Sequence, residues 1–145
     1  MVLEHAHDTA WEVSRHVNRK QKGTKGEREV LTFFWNTEHW AALRTPGSGS
    51  ARFPSPDIIA GNGLRTLAIE CKVTGSLTQY LTKEEVEQLK IFASKFMAEP
   101  WIAVRYARKG WYFFNIEDLH ETKKHYSAPF KLAELKGVKF EELLG

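Results

Sequence analysis

Residues 57–73 place the tightest constraint on how this chain folds. Asp57-Ile58-Ile59-Ala60 is apolar after its first residue, and Gly61-Asn62-Gly63 follows at once. Asn-Gly between two strand-like runs is a strong hairpin signal, because both residues tolerate the positive φ that a tight turn demands. The second arm, Leu64 to Val73, alternates Leu67, Ile69, Cys71 and Val73 with Ala68, Glu70, Lys72 and Thr74, which is the period of a strand. The spacing predicts an antiparallel pair, Asp57 to Ala60 with Leu64 to Val73.

The elements on either side follow from similar patterns. Thr82 to Phe96 reads as a helix. Thr82 is a good N-cap, Glu85 completes a capping box, and Val86, Leu89, Ile91, Phe92, Ala93 and Phe96 supply a core face. Trp101 to Tyr106 and Trp111 to Phe114 read as strands around a turn at Lys109-Gly110. Upstream, Val30, Leu31, Phe34 and Trp35 recur at helical spacing within Gly23 to Glu38, and Trp40 to Arg44 suits a short strand. Thr45 to Pro56 is rich in Gly, Ser and Pro and is expected to be a loop. Residues 1–21 show weak periodicity, which fits either a short helix or an arm. Asn115 to Glu121 suits a helical turn and Phe140 to Leu144 a closing helix. Helix, strands, helix, strands indicates a single α/β domain with a mixed sheet between helices.

Composition bears on which classes are excluded. Nine Phe, five Trp and four Tyr among 145 residues are too many to leave in water, so disorder along the whole length is excluded. The longest apolar runs are far too short to span a bilayer, and nothing near Met1 reads as a signal peptide; an intracellular location is the expectation, with no membrane partner. A single cysteine, Cys71, excludes an intramolecular disulfide and a Cys-based zinc site.

The charge is unevenly placed. Residues 14–52 carry eight Lys or Arg against three acids, whereas residues 53–145 carry thirteen against twelve. A basic stretch in a near-neutral chain suits a polyanionic partner, since binding phosphates releases counterions. A solvated basic helix would look the same by charge alone.

Chemistry concentrates where polar residues interrupt the hairpin. Alternation puts Glu70 and Lys72 on one face, about 7 Å apart, and a short turn brings Asp57 to the adjacent strand near that face. Such charges cost stability unless something pairs with them. A structural Glu70–Lys72 salt bridge is one answer. The other is phosphodiester hydrolysis, in which Mg²⁺ needs one or two carboxylates plus waters and phosphate oxygens. Asp57 and Glu70 suit those ligands, the backbone carbonyl of Cys71 is a further oxygen, and Lys72 suits the attacking water and the phosphate.

Four segments carry a resemblance. They are Lys22-Gly23-Thr24-Lys25-Gly26-Glu27-Arg28-Glu29, the stretch from Arg44 through Pro54-Ser55-Pro56-Asp57-Ile58-Ile59-Ala60-Gly61, then Leu67-Ala68-Ile69-Glu70-Cys71-Lys72, and Glu99 to Arg105. In this order the chain resembles the archaeal-type Holliday junction resolvases, restriction-endonuclease-like nucleases with the signature P-D-x(n)-(D/E)-x-K. The resemblance implies a restriction-endonuclease-like mixed central sheet flanked by helices. It implies a Mg²⁺-dependent homodimer (Mn²⁺ as substitute, no small-molecule cofactor) that binds four-way DNA junctions. Paired symmetric nicks would leave 5′-phosphate and 3′-hydroxyl ends.

Carried onto this chain, the resemblance makes Glu27 a helix carboxylate that reaches the metal and Asp57 and Glu70 its ligands. Lys72 becomes the signature lysine, and Arg28 and Arg44 phosphate contacts. Lys22 and Arg52 are further expected DNA contacts, and one serine of the Ser48 to Ser55 loop, with Ser48 the first choice, is expected to contact the site or the DNA. Phe53, an aromatic between Arg52 and Pro54, suits a wedge at the junction. Residues 1–21 then form an extension and residues 22–145 the nuclease domain. Glu84, Glu85 and Glu87 read as the first turn and solvated face of their helix, Gln88 as non-catalytic, and Trp101, Trp111 and Phe113 as core or dimer interface.

Overall fold

The computed structural model describes the backbone of residues 10–46 and 53–145, and side chains from Gly23 onward within those ranges. Helix α1 (Ala10–Trp35) leads into strand β1 (Ala41–Arg44). Next come β2 (Ile58–Gly61), β3 (Thr66–Thr74), β4 (Thr78–Thr82), α2 (Lys83–Phe96), β5 (Glu99–Tyr106) and β6 (Gly110–Asn115). A 3-10 turn over Ile116–Asp118 precedes β7 (His120–Glu121), β8 (His125–Pro129), α3 (Phe130–Lys136) and α4 (Phe140–Leu143).

The central sheet runs β1-β2-β3-β5-β6. Only β3 and β5 pair parallel, with Glu70 opposite Ile102 and Lys72 opposite Val104; the other neighbours are antiparallel. A parallel pair needs a long crossover, and β4 with α2 provides it. The β2–β3 hairpin forms as expected, but through a four-residue connection. Asn62 Oδ1 accepts from the amides of Leu64 (2.9 Å) and Arg65 (2.7 Å), and Gly63 takes φ +92°.

The sheet has a core on each face. Even-numbered Ala68, Ile102, Val104 and Phe114 pack with Val86, Leu89 and Ala93 of α2. Odd-numbered Leu67, Ile69, Trp101, Ala103 and Phe113 pack with Val30 and Phe34 of α1 and with Trp40. Trp101, Trp111 and Phe113 are thus core residues. Gly26 sets how closely α1 approaches β3. A Cβ there would lie 2.7 Å from Val73 Cγ2, so the bare backbone lets this turn sit against the strand.

Several expectations are corrected. α1 is one continuous helix from Ala10, and it stops at Trp35 rather than Glu38, where Thr37 turns its amide and hydroxyl back onto the Phe34 carbonyl. Trp35 is not core: it is exposed, its indole N–H donating to the Ala42 carbonyl of edge strand β1. On α2, Ile91 and Phe96 are also exposed. With Phe53, Pro54, Phe92 and Lys95 they line an apolar groove of about 290 Å³. The three-stranded sheet β4-β8-β7 and helix α3 have no counterpart in the sequence reading. Their strands are short, and the pairing of β4 with β8 joins residues almost fifty positions apart. Among the described residues, no helix is long and apolar enough to cross a membrane.

Candidate active site

The site is built where β2 enters the sheet. Arg44 pairs with Ile58 and Ile58 with Ile69, so Asp57, one residue before β2, falls beside Glu70. The backbone completes the placement. Asp57 N–H donates to the Ile69 carbonyl (3.0 Å), and Asp57 Oδ2 accepts from the Cys71 amide (2.8 Å). Asp57 is the buried charged residue of this core, 6% exposed. Glu70 and Lys72 share the parity of Ala68 and so point to the α2 face.

There an open cleft of about 280 Å³ is lined by Ser55, Asp57, Glu70, Lys72, Glu85, Gln88 and Leu89. The hairpin therefore brings Asp57, Glu70 and Lys72 together as expected. Lys72 does not pair with Glu70 as its nearest partner: its Nζ lies 2.5 Å from Glu85 Oε2.

Electrostatics show what the cleft lacks. Burial, then the adjacent Asp57 carboxylate, pushes Glu70 up to about 9, with Lys72 pulling the other way. Burial and the Asp57 charge also raise Glu27, against the Arg44 hydrogen bond. Burial works against the Lys72 ammonium, yet the Glu85 hydrogen bond and charge more than offset it, and its pKa is raised. Two carboxylates have been forced together with one lysine that already has another partner. A dication fits that deficit. Among the described residues no group of three His, Cys, Asp or Glu side chains is arranged as a metal cage. A pair of carboxylates nevertheless suits Mg²⁺, which takes its remaining oxygens from water, backbone and phosphate.

Glu27 and Arg44 sit apart from the cleft lining. They form an ion pair with each other, α1 to β1. The register puts Arg44 on the α1 face of the sheet, with Glu27 close enough to Asp57 to feel its charge. Arg28 is exposed on α1, beside Lys25, Glu29, Thr32 and Phe33. Phe53 is 74% exposed, at the groove on α2 rather than in the cleft. Lys22 belongs to α1 by its backbone; its side chain, Ser48 and Arg52 lie outside the described residues.

Sequence reasoning missed Glu85 as a cleft residue, whereas Ser55, within the Ser48 to Ser55 loop expected to send a serine to the site or the DNA, does line the cleft. Glu85 is half-buried over the site, not part of a solvated face. The capping box pins its carboxylate at the start of α2, but no local spacing reveals that this turn lies over Lys72.

A mixed sheet clad by helices on both faces, with two carboxylates and a lysine at a β-hairpin, is the architecture of the restriction-endonuclease-like nucleases. The chain belongs, within that class, to the archaeal Holliday junction resolvase (Hjc) family of crossover junction endodeoxyribonucleases, whose family model matches residues 18–145. It is 43% identical over 133 residues to crossover junction endodeoxyribonuclease Hjc of Archaeoglobus fulgidus, a match covering 87% of this chain and 97% of that protein. It is 30% identical over 89 residues to the Hjc of Methanocaldococcus jannaschii, covering 61% and 62% of the two chains. The solved structure of Archaeoglobus fulgidus Hjc, a Holliday junction resolvase from an archaeal hyperthermophile, superposes with TM-score 0.78 at 41% identity, covering 83% of this chain and 97% of that one.

Proposed function

We propose that this chain resolves four-way DNA junctions as a homodimer, using Mg²⁺ to hydrolyse two opposed phosphodiesters and leave 5′-phosphate and 3′-hydroxyl ends. The observation that carries the reading is the buried Asp57 beside Glu70, two carboxylates crowded into one cleft with Lys72. Asp57 and Glu70 would hold the ion, with the Cys71 carbonyl as a third oxygen and Glu27 approaching from α1. When bound, Mg²⁺ (or Mn²⁺) neutralises charge at the phosphate and lowers the pKa of water.

The protein's own residues do the rest. Lys72 projects its ammonium into the same cleft, where its donors can orient water and a phosphate oxygen in line with the leaving 3′ oxygen. Asp57 is itself held by the Cys71 amide, so its carboxylate is fixed before substrate arrives. Lys22, Arg28, Arg44, Ser48 and Arg52 would contact the DNA backbone, and Phe53 would wedge at the branch point. A resolving event needs two nicks on opposed strands and one protomer carries one cleft, so a second copy is required. The exposed groove of Phe53, Ile91, Phe92 and Phe96 offers apolar surface of the kind subunits bury.

The test is a labelled four-way junction with a mobile core, beside linear duplex, flap and loop substrates, in Mg²⁺ and in EDTA. Paired, metal-dependent nicks that give ligatable duplexes from the junction alone are expected. Equal cutting of flaps or loops would make the enzyme a broader debranching nuclease. Tight binding without cutting would make it a junction-binding protein.

Arg44→Ala should weaken junction binding and lower the slope of log affinity against log salt by about 1, as for one lost phosphate contact. Titration of binding across a salt series in EDTA checks this. An unchanged slope would mean that Arg44 serves only to hold Glu27.

A further inference from the structure

We propose that Glu85 is a positioning residue for this nuclease, holding the Lys72 ammonium over the cleft by a two-sided attachment that joins it to the start of α2; the inference rests on the nuclease reading of that cleft. The two oxygens of Glu85 have separate tasks. Oε1 faces the helix cap, 3.4 Å from the Thr82 amide and 3.3 Å from its hydroxyl. Oε2 lies 2.5 Å from Lys72 Nζ. The cap thus fixes the carboxylate, and the carboxylate fixes the lysine.

A lysine has four rotatable stem bonds and loses considerable rotamer freedom when it is held. Lys72 stands on β3, where the strand gives its Cα a fixed place but leaves its ammonium free to sweep. Glu70, on the same face, is engaged with Asp57, and Lys72 meets Glu85 in its place. Glu85 supplies the anchor from the facing helix. Its partial burial strengthens the contact, the Glu85 and Lys72 side chains being 31% and 26% exposed. Helix α2 is in turn seated on the sheet through Val86 and Leu89, the residues that follow Glu85 on its inner face. The placement of Lys72 is therefore set by packing of the α2 core as well as by its own strand.

Two variants test this. Glu85→Ala removes both oxygens but leaves the Thr82 cap itself, because the residue-85 amide still donates to Thr82 Oγ1 (3.0 Å in the native protein). Glu85→Gln keeps the shape with one acceptor where two are used. Glu87→Gln, an exposed acid on the same helix, controls for the loss of one negative charge near DNA. Two readouts run in parallel. One is the single-turnover rate of Mg²⁺-started junction cleavage, with junction affinity measured separately in EDTA. The other is the rate at which an amine-acylating reagent modifies Lys72, followed by mass spectrometry of its peptide without metal or DNA.

Both Glu85 variants are expected to lose about ten- to a hundredfold in cleavage rate with affinity unchanged. Lys72 should be modified several-fold faster in both, and Glu87→Gln should match the wild type in every measure. Unchanged labelling of Lys72 in both variants overturns the proposal whatever the cleavage assay gives. Cleavage at the wild-type rate or faster also overturns it. If the wild type itself does not cut, the nuclease reading fails, and the labelling result still decides whether Glu85 holds Lys72.

Discussion

Asp57→Asn is expected to abolish metal-dependent cleavage and, in the same protein, to stabilise the metal-free fold. The loss of rate should be about a thousandfold or more, since electrostatic stabilisation of the reacting phosphate by a held cation contributes several kcal/mol. Junction binding in EDTA should persist, because Asp57 is a carboxylate and no phosphate contact. The gain in stability comes from the crowding of carboxylates. Asparagine Oδ1 can accept from the Cys71 amide as Asp57 Oδ2 does, while its NH₂ group faces Glu70 as a donor in place of a second negative charge.

The pH dependence has a definite sign. Burial and the Asp57 charge hold the Glu70 pKa at about 9 in the folded chain, against the ordinary 4.5 that applies when unfolded. Between those values the folded state keeps a proton that the unfolded state releases, so the metal-free protein loses stability as pH rises through that window. Asp57→Asn should flatten the loss, and Mg²⁺ should flatten it in the wild type. Urea unfolding from pH 5 to 9, with and without Mg²⁺, measures both. A variant that still cuts would remove Asp57 from the ligand set. An equal pH slope in variant and wild type would mean that the two carboxyls are not coupled.

Lys72→Met should also abolish cutting, by about a hundredfold or more if the ammonium supports the developing charge at phosphorus, but with the opposite effect on stability. Methionine keeps the stem and removes the cation that, among the described residues, lines the cleft. Glu85 then loses its partner and Glu70 the one neighbour that favours its charge. Because both side chains of the ion pair are about a third exposed, solvent limits the cost to about 1 kcal/mol. The pair of variants forms a diagnostic set: both inactive, Asp57→Asn more stable and Lys72→Met less stable in EDTA near pH 8. If both moved stability the same way, the picture of a cleft with excess negative charge would be wrong.

What could be read from the sequence was whatever depends on neighbours along the chain. Alternation in Leu67 to Val73 and the Asn62-Gly63 turn define the hairpin, and the hairpin alone brings Asp57 to Glu70. Thr82 and Glu85 mark the start of α2 because a capping box spans only four residues. These elements form close to their expected bounds, since backbone geometry and local hydrogen bonds settle them before any packing. The family resemblance also rests on such local segments, and it holds.

Tertiary structure decided the rest, for reasons of packing and long-range pairing. Ile91 and Phe96 fit the helical period as well as Leu89 does, yet only the angle at which α2 meets the sheet determines which are covered. β4, β7 and β8 are too short to show a period and exist through each other. Glu27 reaches the neighbourhood of Asp57 because Gly26 lets α1 lie against Val73, a contact between residues far apart in the chain. The partner of Lys72 was hidden for the same reason. Strand alternation says which face a lysine points to, whereas the residue that meets it there is set by the helix folded across that face.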